Sequence, residues 1–155
     1  MIKIRTITGN LLNVESGWIV HCANSHGIMG TGVAAGIKQK YPAAFKHYRK
    51  QYEDIGLELG TNNVCPVSEK LMIVNLIGQE DFGTGKRFVS YDAICKCFEN
   101  LNTSIKNSNY PIEIHIPKLG AARAGGNWEI IREIIEQTSN YPVTLWLPDS
   151  SVTTL

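Results

Sequence analysis

The chain alternates between short apolar runs and longer segments in which apolar residues recur at every third or fourth position. Residues 2–7 largely alternate between apolar and polar types, the pattern of a half-buried strand, and Thr8-Gly9-Asn10 ends it. Residues 18–23 are almost uniformly apolar, which predicts a strand covered on both faces and therefore central in a sheet. Further strands are predicted at residues 63–67, 71–77, 112–116 and 143–147.

Four segments have the three- to four-residue spacing of helices. Residues 33–41 form the first, and Pro42 interrupts the pattern and starts the second. The third, residues 91–105, has the clearest spacing, and Ser90 is placed to cap its N-terminus. The fourth covers residues 128–137.

This order of elements favours an α/β fold, with helices on both faces of a mixed, mostly parallel sheet of about six strands. Three residues separate the strands at 63–67 and 71–77, a length that suits a hairpin. The strand at 63–67 should therefore be antiparallel to its neighbour. We predict that the strand at residues 2–7 is a second antiparallel addition.

Length and composition indicate one folded domain. At 155 residues and 17.2 kDa the chain has the usual size of a single domain, and we expect one domain over residues 1–155. Hydrophobic residues make up 43% and charged residues 19%, which excludes a disordered chain. A formal net charge of +1 supplies no global field toward nucleic acid or anionic lipid, so any anion site must be local.

The cysteines, at positions 22, 65, 95 and 97, form no Cys-x-x-Cys pair, and the N-terminal segment lacks the apolar core of a signal peptide. We therefore expect a cytoplasmic protein with reduced thiols. No apolar run approaches the roughly 18 residues that a membrane span requires. We expect a monomer without a cofactor, a metal ion or a membrane partner, and nucleic acid is disfavoured as a partner.

The most informative stretch, residues 21–33, lies between a buried strand and the start of a helix. Its glycines allow the backbone to turn and to approach a ligand closely. The first N–H groups of a helix are unpaired and carry partial positive charge, so phosphate oxygens bind there. Residues 30–33 are therefore predicted to contact phosphate, although the spacing misses the G-x-G-x-x-G fingerprint by one residue and also suits an ordinary turn.

A second loop of small residues, 117–128, also joins a strand to a helix. Parallel strands end at a common edge of the sheet, so two such loops can meet across one ligand. A diphosphate is predicted to lie between them, with Arg123 either supplying local positive charge or merely solvated.

Other suggestive spacings do not complete a known site. Residues 83–86 resemble the end of a P-loop, but Glu80 stands where glycine is required and Arg87 where serine or threonine is required. Cys95 and Cys97 fall in a predicted helix, where residues two apart point in different directions. No metal site is predicted, because ligand spacing is also missing among the histidines at 21, 26, 47 and 115.

Together these stretches resemble the macrodomain family, a three-layer α/β/α fold whose members bind ADP-ribose. The resemblance covers nearly the whole chain. The motifs that carry it are most similar to those of the branch that contains ADP-ribose-1''-phosphate phosphatases and the terminal ADP-ribose protein glycohydrolase. The motifs are Gly9-Asn10-Leu11, Val20-His21-Cys22-Ala23-Asn24, Met29-Gly30-Thr31-Gly32-Val33-Ala34, Tyr41-Pro42, Tyr91 and the loop at 117–128.

The resemblance implies roles for both loops. Asn24 matches the asparagine that holds the distal ribose, and residues 30–33 and 120–125 match the two diphosphate loops. Asn10 stands where most members have an aspartate that accepts from the adenine amino group, so a variant base is an alternative. The predicted ligand-binding residues are Gly9, Asn10, Leu11, Ala23, Asn24, Gly30, Thr31, Gly32, Val33, Gln79, Leu119, Gly120, Ala121, Ala122, Arg123, Ala124 and Gly125.

The resemblance also bears on catalysis. Glycohydrolases of this branch use a lysine and a loop aspartate, whereas this chain has Gln79 and Ala124 at those places and Asn127 where aspartate is frequent. The lysine-adduct mechanism is therefore not expected. Removal of a terminal phosphate needs a positioned water and an acid or base, for which we predict His21, with an unshifted pKa of about 6.5, beside Asn24.

A structural role for His21, as a strand histidine capped by a neighbour, is an equal alternative. His26 is a second candidate acid or base. Asp81 and Asp92 are the nearest carboxylates, and a surface role is favoured for both.

Three functions stay open from the sequence. The first is an enzyme that removes the terminal phosphate of ADP-ribose-1''-phosphate or hydrolyses a related derivative. The second is a binding module for ADP-ribose or another nucleotide derived from NAD. The weakest is a poly(A) or RNA binder, suggested by basic side chains that are interleaved with aromatic residues, although the aromatic residues have the spacing of a buried helix face. The basic residues are Lys38, Lys40, Lys46, Arg49 and Lys50.

Overall fold

The computed structural model describes residues 1–80, 87–121 and 124–149. Within them, six strands form one sheet in the order β1-β6-β5-β2-β4-β3. Strand β3 is antiparallel to β4, as predicted, and the other pairings between strands are parallel. The strands are β1 (Arg5–Thr8), β2 (Gly17–Asn24), β3 (Asn62–Pro66), β4 (Leu71–Gln79), β5 (Ile114–Ile116) and β6 (Val143–Leu147).

Helices cover both faces of the sheet. On one face Ile37 of the first helix packs in the same apolar cluster as Ile73 of β4. On the other, Phe98 and Ile131 of the third and fourth helices pack with Val74. The predicted three-layer α/β/α fold is confirmed. The helices are α1 (Gly32–Lys40), α2 (Pro42–Asp54), α3 (Tyr91–Lys106) and α4 (Trp128–Thr138).

The predicted central strand is β2, which lies between β5 and β4 and is buried along nearly its whole length. Strands β1, β2, β4, β5 and β6 run in the same direction, so their carboxyl ends lie at one edge of the sheet. The β2–α1 loop (residues 25–31) and the β5–α4 loop (residues 117–127) both begin at this edge. The cap predicted for α3 is also present, since the Ser90 hydroxyl accepts from Ala93 N–H at 3.1 Å.

The prediction that the first strand is antiparallel is wrong. Strand β1 is parallel to β6, with Thr6 opposite Leu145. Among the described residues, strand β1 lies at the edge of the sheet and pairs only with β6, the last of the described strands. Because no hairpin joins these two strands, the packing of the whole domain decides their direction.

Two strands are shorter than their alternating patterns predict. Ile2 N–H donates to the Glu136 carbonyl and Ile4 N–H to the Glu136 carboxylate, so these residues bond to α4 rather than to a strand. Ile112 lies before β5 and is 53% exposed. In the described part of the chain, no helix is long and apolar enough to cross a bilayer.

Candidate functional site

A cavity of about 650 Å³ opens at the carboxyl edge of the sheet. Its wall is built from the end of β2, the β2–α1 loop with the first turn of α1, the β5–α4 loop and the end of β6. The structure therefore brings the two small-residue loops to one place. The predicted site residues on this wall are Gly9, Leu11, His21, Ala23, Asn24, Gly30, Thr31, Gly32, Val33, Gln79, Leu119, Gly120 and Ala124.

Asn24 holds the β2–α1 loop in shape. Its side-chain oxygen accepts from His26 N–H at 2.9 Å, and its amide nitrogen donates to the Ile28 carbonyl at 2.8 Å. The buried Tyr48 hydroxyl donates to the Asn24 main-chain carbonyl at 2.5 Å. Asn24, which was predicted to bind the ribose and to assist catalysis, is thus also the residue that organises this loop.

The N-terminus of α1 faces the cavity with its backbone. Gly32 has φ +61°, a conformation that glycine adopts without strain, and it turns the chain into the helix. Thr31 is the N-cap residue, but its side chain makes no capping hydrogen bond, and the first turn contains no acidic residue. The first intrahelical bond runs from Ala35 N–H to the Thr31 carbonyl, so the preceding N–H groups lie at the cavity wall. Such a helix end attracts anions.

The β5–α4 loop is fixed by close backbone packing. Gly126 N–H donates to the Gly120 carbonyl at 2.8 Å, and a Cβ at Gly126 would lie 2.5 Å from that oxygen. The Ala124 carbonyl accepts from Phe88 and Val89 N–H at 2.6 and 3.1 Å. This packing leaves no room for a side chain at position 126, which explains the glycine there.

His21 is 99% buried at the cavity wall and does not have the unshifted pKa predicted for it. Burial lowers its pKa to about 4, and a 2.6 Å hydrogen bond between Nε2 and Asn75 Oδ1 offsets the shift only in part. At neutral pH His21 is therefore uncharged. The hydrogen bond to Asn75 agrees with the alternative interpretation of His21 as a strand histidine capped by a neighbour.

Cys22 and Gln79 bring further polar atoms to the wall. Cys22 Sγ lies 3.7 Å from Gln79 Oε1, and burial raises the pKa of the thiol to about 12. Cys22 is thus a neutral thiol and a poor nucleophile at physiological pH.

Comparison with known proteins agrees with this geometry. Residues 20–135 match the model of the Macro domain. The chain belongs to the Macro domain family. An uncharacterized 17.5 kDa protein of Enterobacteria phage T4 is 30% identical over 144 residues, which are 88% of this macrodomain and 90% of the phage protein.

One further relative carries a functional name, and one solved structure shows the shared fold. The ADP-ribose 1''-phosphate phosphatase of Neosartorya fischeri is 39% identical over 54 residues, 34% of this macrodomain and 27% of that protein. This match therefore spans only about a quarter of the phosphatase. The structure of the Mycobacterium tuberculosis DarG macrodomain superposes with a TM-score of 0.79 at 21% identity, covering 94% of this chain and 98% of that one, which shows the shared fold.

Several predicted residues of this macrodomain do not lie on the cavity wall. The Asn10 side-chain oxygen, predicted to accept from adenine, accepts from Leu12 N–H at 2.9 Å. Ala121 and Gly125 help to form the β5–α4 loop without lining the cavity. Ala122 and Arg123 lie outside the described residues.

The remaining polar candidates have other settings. His26 is exposed beside the cavity, and Asp92 pairs with Lys96 on the surface of α3 at 3.0 Å. Asp81 falls outside the described residues. Asn127 caps α4 by accepting from Glu129 N–H at 2.9 Å, which explains why a short polar residue stands at that position.

The lysines that suggested RNA binding, at positions 38, 40, 46 and 50, are exposed on α1 and α2, and Arg49 is partly buried. Lys50 pairs with Asp54 at 2.9 Å and Arg49 with Glu53 at 3.5 Å on α2. Tyr48, one of the interleaved aromatics, is fully buried.

Sequence reasoning missed part of the wall. Trp146, Leu147 and Pro148 line the cavity because β6 is a parallel strand and ends at the same edge as β2. Trp146 is fixed by a 3.0 Å hydrogen bond from its indole N–H to His115 Nδ1. The signal that could have found these residues is their position at the carboxyl end of a predicted strand, where Trp146 and Leu147 are its last two residues and Pro148 follows it. The other missed residues are Cys22, Ile28, Ala34, Pro117 and Lys118.

Proposed function

We propose that this macrodomain binds ADP-ribose or an ADP-ribose derivative, with the diphosphate between the β2–α1 and β5–α4 loops. The observation that carries the proposal is the cavity that both loops line. The N-terminus of α1 lies at its wall, and this helix end has neither a side-chain capping hydrogen bond nor an acidic residue in its first turn. Backbone N–H groups in that position suit phosphate oxygens. The name of the Neosartorya fischeri relative supports a ligand of this class.

The rest of the cavity suits the other parts of such a ligand. Its volume of about 650 Å³ lies within the range of small-molecule sites. Leu11 and Trp146 supply apolar surface for a base, and Lys118 supplies a positive charge at the second loop. An aromatic ring beside a base contributes stacking as well as burial.

Gly30→Glu is the variant that tests binding most directly. Among the described residues, a Cβ at Gly30 meets only Ile28 Cγ2, at 3.8 Å, so a side chain fits there without strain in the fold. A carboxylate at this point of the wall should repel phosphate. In calorimetry with ADP-ribose, the wild-type protein and the matched control Gly30→Ala should both bind, and Gly30→Glu should bind at least tenfold more weakly. Equal affinity of all three proteins, or no binding by the wild type, would refute the proposal.

We further propose hydrolysis of the terminal phosphate of ADP-ribose-1''-phosphate as the activity of this site. Water attacks the terminal phosphorus, the bond between that phosphorus and the sugar oxygen breaks, and the products are ADP-ribose and inorganic phosphate. The similarity to a named phosphatase favours this reaction. At neutral pH His21 is uncharged, so it can accept a hydrogen bond from a positioned water.

Phosphate release from ADP-ribose-1''-phosphate tests this activity. Gly30→Glu is the preferred negative control, because changing Asn24 would also release the β2–α1 loop. Phosphate release by the wild-type protein, and none by the Gly30→Glu variant, supports the enzymatic activity. Binding of the substrate with no release, and recovery of unchanged substrate, assigns the protein instead to the alternative class of binding modules.

A further inference from the structure

A row of polar side chains crosses the apolar interior of the sheet, starting at the cavity. His21 of β2, Asn75 of β4 and Asn63 of β3 occupy paired register positions on neighbouring strands. Their exposed fractions are 1%, 0% and 1%. Burying polar groups is costly unless each forms hydrogen bonds, so this row has to be organised throughout.

The row is one continuous chain of hydrogen bonds. His21 Nε2 lies 2.6 Å from Asn75 Oδ1, and Asn75 Nδ2 donates to Asn63 Oδ1 at 3.0 Å. Asn63 Nδ2 donates to Gln51 Oε1 at 2.7 Å, and Gln51 Nε2 donates to the Gly56 carbonyl at 3.4 Å. The chain thus runs from the cavity to the C-terminal end of α2.

Two backbone carbonyls set the direction of every bond in this chain. The Gly56 carbonyl can only accept, so Gln51 must present its nitrogen there and its oxygen to Asn63. The same reasoning passes to Asn75, whose Nδ2 also faces the Ala44 carbonyl at 3.4 Å. Asn75 Oδ1 is therefore left to face His21, and it needs a donor.

That donor must be the His21 Nε2–H group. A neutral imidazole carries one proton, so with Nε2 protonated the opposite nitrogen, Nδ1, is an acceptor. Nδ1 is buried and has no hydrogen-bond partner among the described residues. His21 lines the cavity, so Nδ1 is the polar atom of this side chain that a bound molecule reaches once it displaces the wall atoms that cover the ring.

We propose that Gln51, Asn63 and Asn75 form a positioning relay that holds His21 as its Nε2–H tautomer, so that Nδ1 accepts a hydrogen bond from an O–H group in the cavity. This O–H group is either a ribose hydroxyl of the ligand or the water that attacks it. The part of the inference that concerns the O–H donor rests on the proposed function. The tautomer itself is a property of the free protein.

NMR of the protein labelled with ¹⁵N-histidine tests the tautomer without any ligand. At pH 7 the wild-type protein should show His21 protonated at Nε2 and unprotonated at Nδ1. Asn75→Leu removes the acceptor, and the Nδ1–H form should then appear. Ile73→Val is the matched control, since it alters a fully buried side chain of the same strand outside the relay and should keep the wild-type tautomer.

Gln51→Leu keeps the test decisive if Asn75→Leu does not fold. Gln51 is only partly buried on α2, so its replacement disturbs the fold least, and the substitution removes the oxygen that accepts from Asn63 Nδ2. A population of the Nδ1–H form should appear in this variant too. An Nδ1–H tautomer or a doubly protonated ring in the wild type, or no change in a folded variant, overturns the relay.

Calorimetry and phosphate release then identify the O–H donor. Loss of one hydrogen bond corresponds to a change of about three- to tenfold. For Asn75→Leu, a weaker affinity for ADP-ribose assigns the donor to the ribose. Unchanged affinity with slower phosphate release from ADP-ribose-1''-phosphate assigns it to water. If neither the affinity nor the rate of phosphate release changes in a protein with an altered tautomer, the role of Nδ1 is refuted. A wild-type protein that binds no ADP-ribose refutes the proposed function instead, and the NMR measurement alone then decides whether the relay exists.

Discussion

Acidification should destabilise this protein through one buried histidine. In the folded state burial lowers the pKa of His21 to about 4, whereas an unfolded histidine titrates near 6.5. As the pH falls below about 6.5 the unfolded chain binds a proton that the folded protein does not bind until about pH 4. The free energy of unfolding therefore decreases as the pH falls through this window, and the stabilisation that neutral His21 contributes is fully present above it.

The magnitude follows from the width of the window. Each unit of pKa difference corresponds to about 1.4 kcal/mol, so the full loss that His21 causes is about 3 kcal/mol. About 2 kcal/mol of it falls between pH 7 and pH 5, before most carboxylates titrate. A loss of this size is a large fraction of the stability of a small domain.

Urea unfolding at pH 7 and pH 5 measures the effect. His21→Gln keeps an amide that can donate to Asn75 but cannot titrate, so the loss between the two pH values should be smaller by about 2 kcal/mol than in the wild type. His47→Gln, at an exposed position on α2, is the matched control and should behave as the wild type. Parallel losses in the wild type and His21→Gln would show that His21 is not a buried neutral group.

Three further predictions concern the two ends of the β5–α4 loop and its charge. Asn127→Ala should lower the free energy of unfolding by about 1 kcal/mol in urea titrations while Asn127→Asp retains it, because either short polar side chain caps α4; equal loss in both would contradict a capping role. Gly126→Ala places a Cβ 2.5 Å from the Gly120 carbonyl and should cost about 1–3 kcal/mol and weaken ADP-ribose binding; wild-type values for both would mean that the loop yields freely. Lys118→Ala should weaken ADP-ribose binding in calorimetry, and the difference from the wild type should shrink as salt is raised; no difference at low salt would remove Lys118 from the site.

Much of the fold could be predicted because local patterns encode it. The spacing of apolar residues places α3 nearly to its ends, and the uninterrupted apolar run identifies β2 as central. The direction of β1 could not be predicted, because its partner β6 lies at the other end of the chain. The alternation at residues 2–7 also overstated the strand, since the first of these residues bond to α4.

The site was predictable in its backbone and less so in its side chains. Glycines at 30 and 32 indicated where the chain could approach a ligand, and both lie on the cavity wall. The environment of His21 was not predictable, because Asn75 and Asn63 belong to strands more than 40 residues away in sequence. Trp146 reached the wall through the same long-range pairing of strands.

The sequence by itself determined most of the helices and strands and the positions where glycine lets the backbone approach a ligand closely. The spacing of apolar residues is a local property of the chain, and the absence of a Cβ is a property of the glycine itself. Only the tertiary structure decided that the two loops share a cavity, that β1 is parallel and that His21 is neutral. Strand direction, burial and protonation depend on groups that are distant along the chain and meet only when the sheet is assembled.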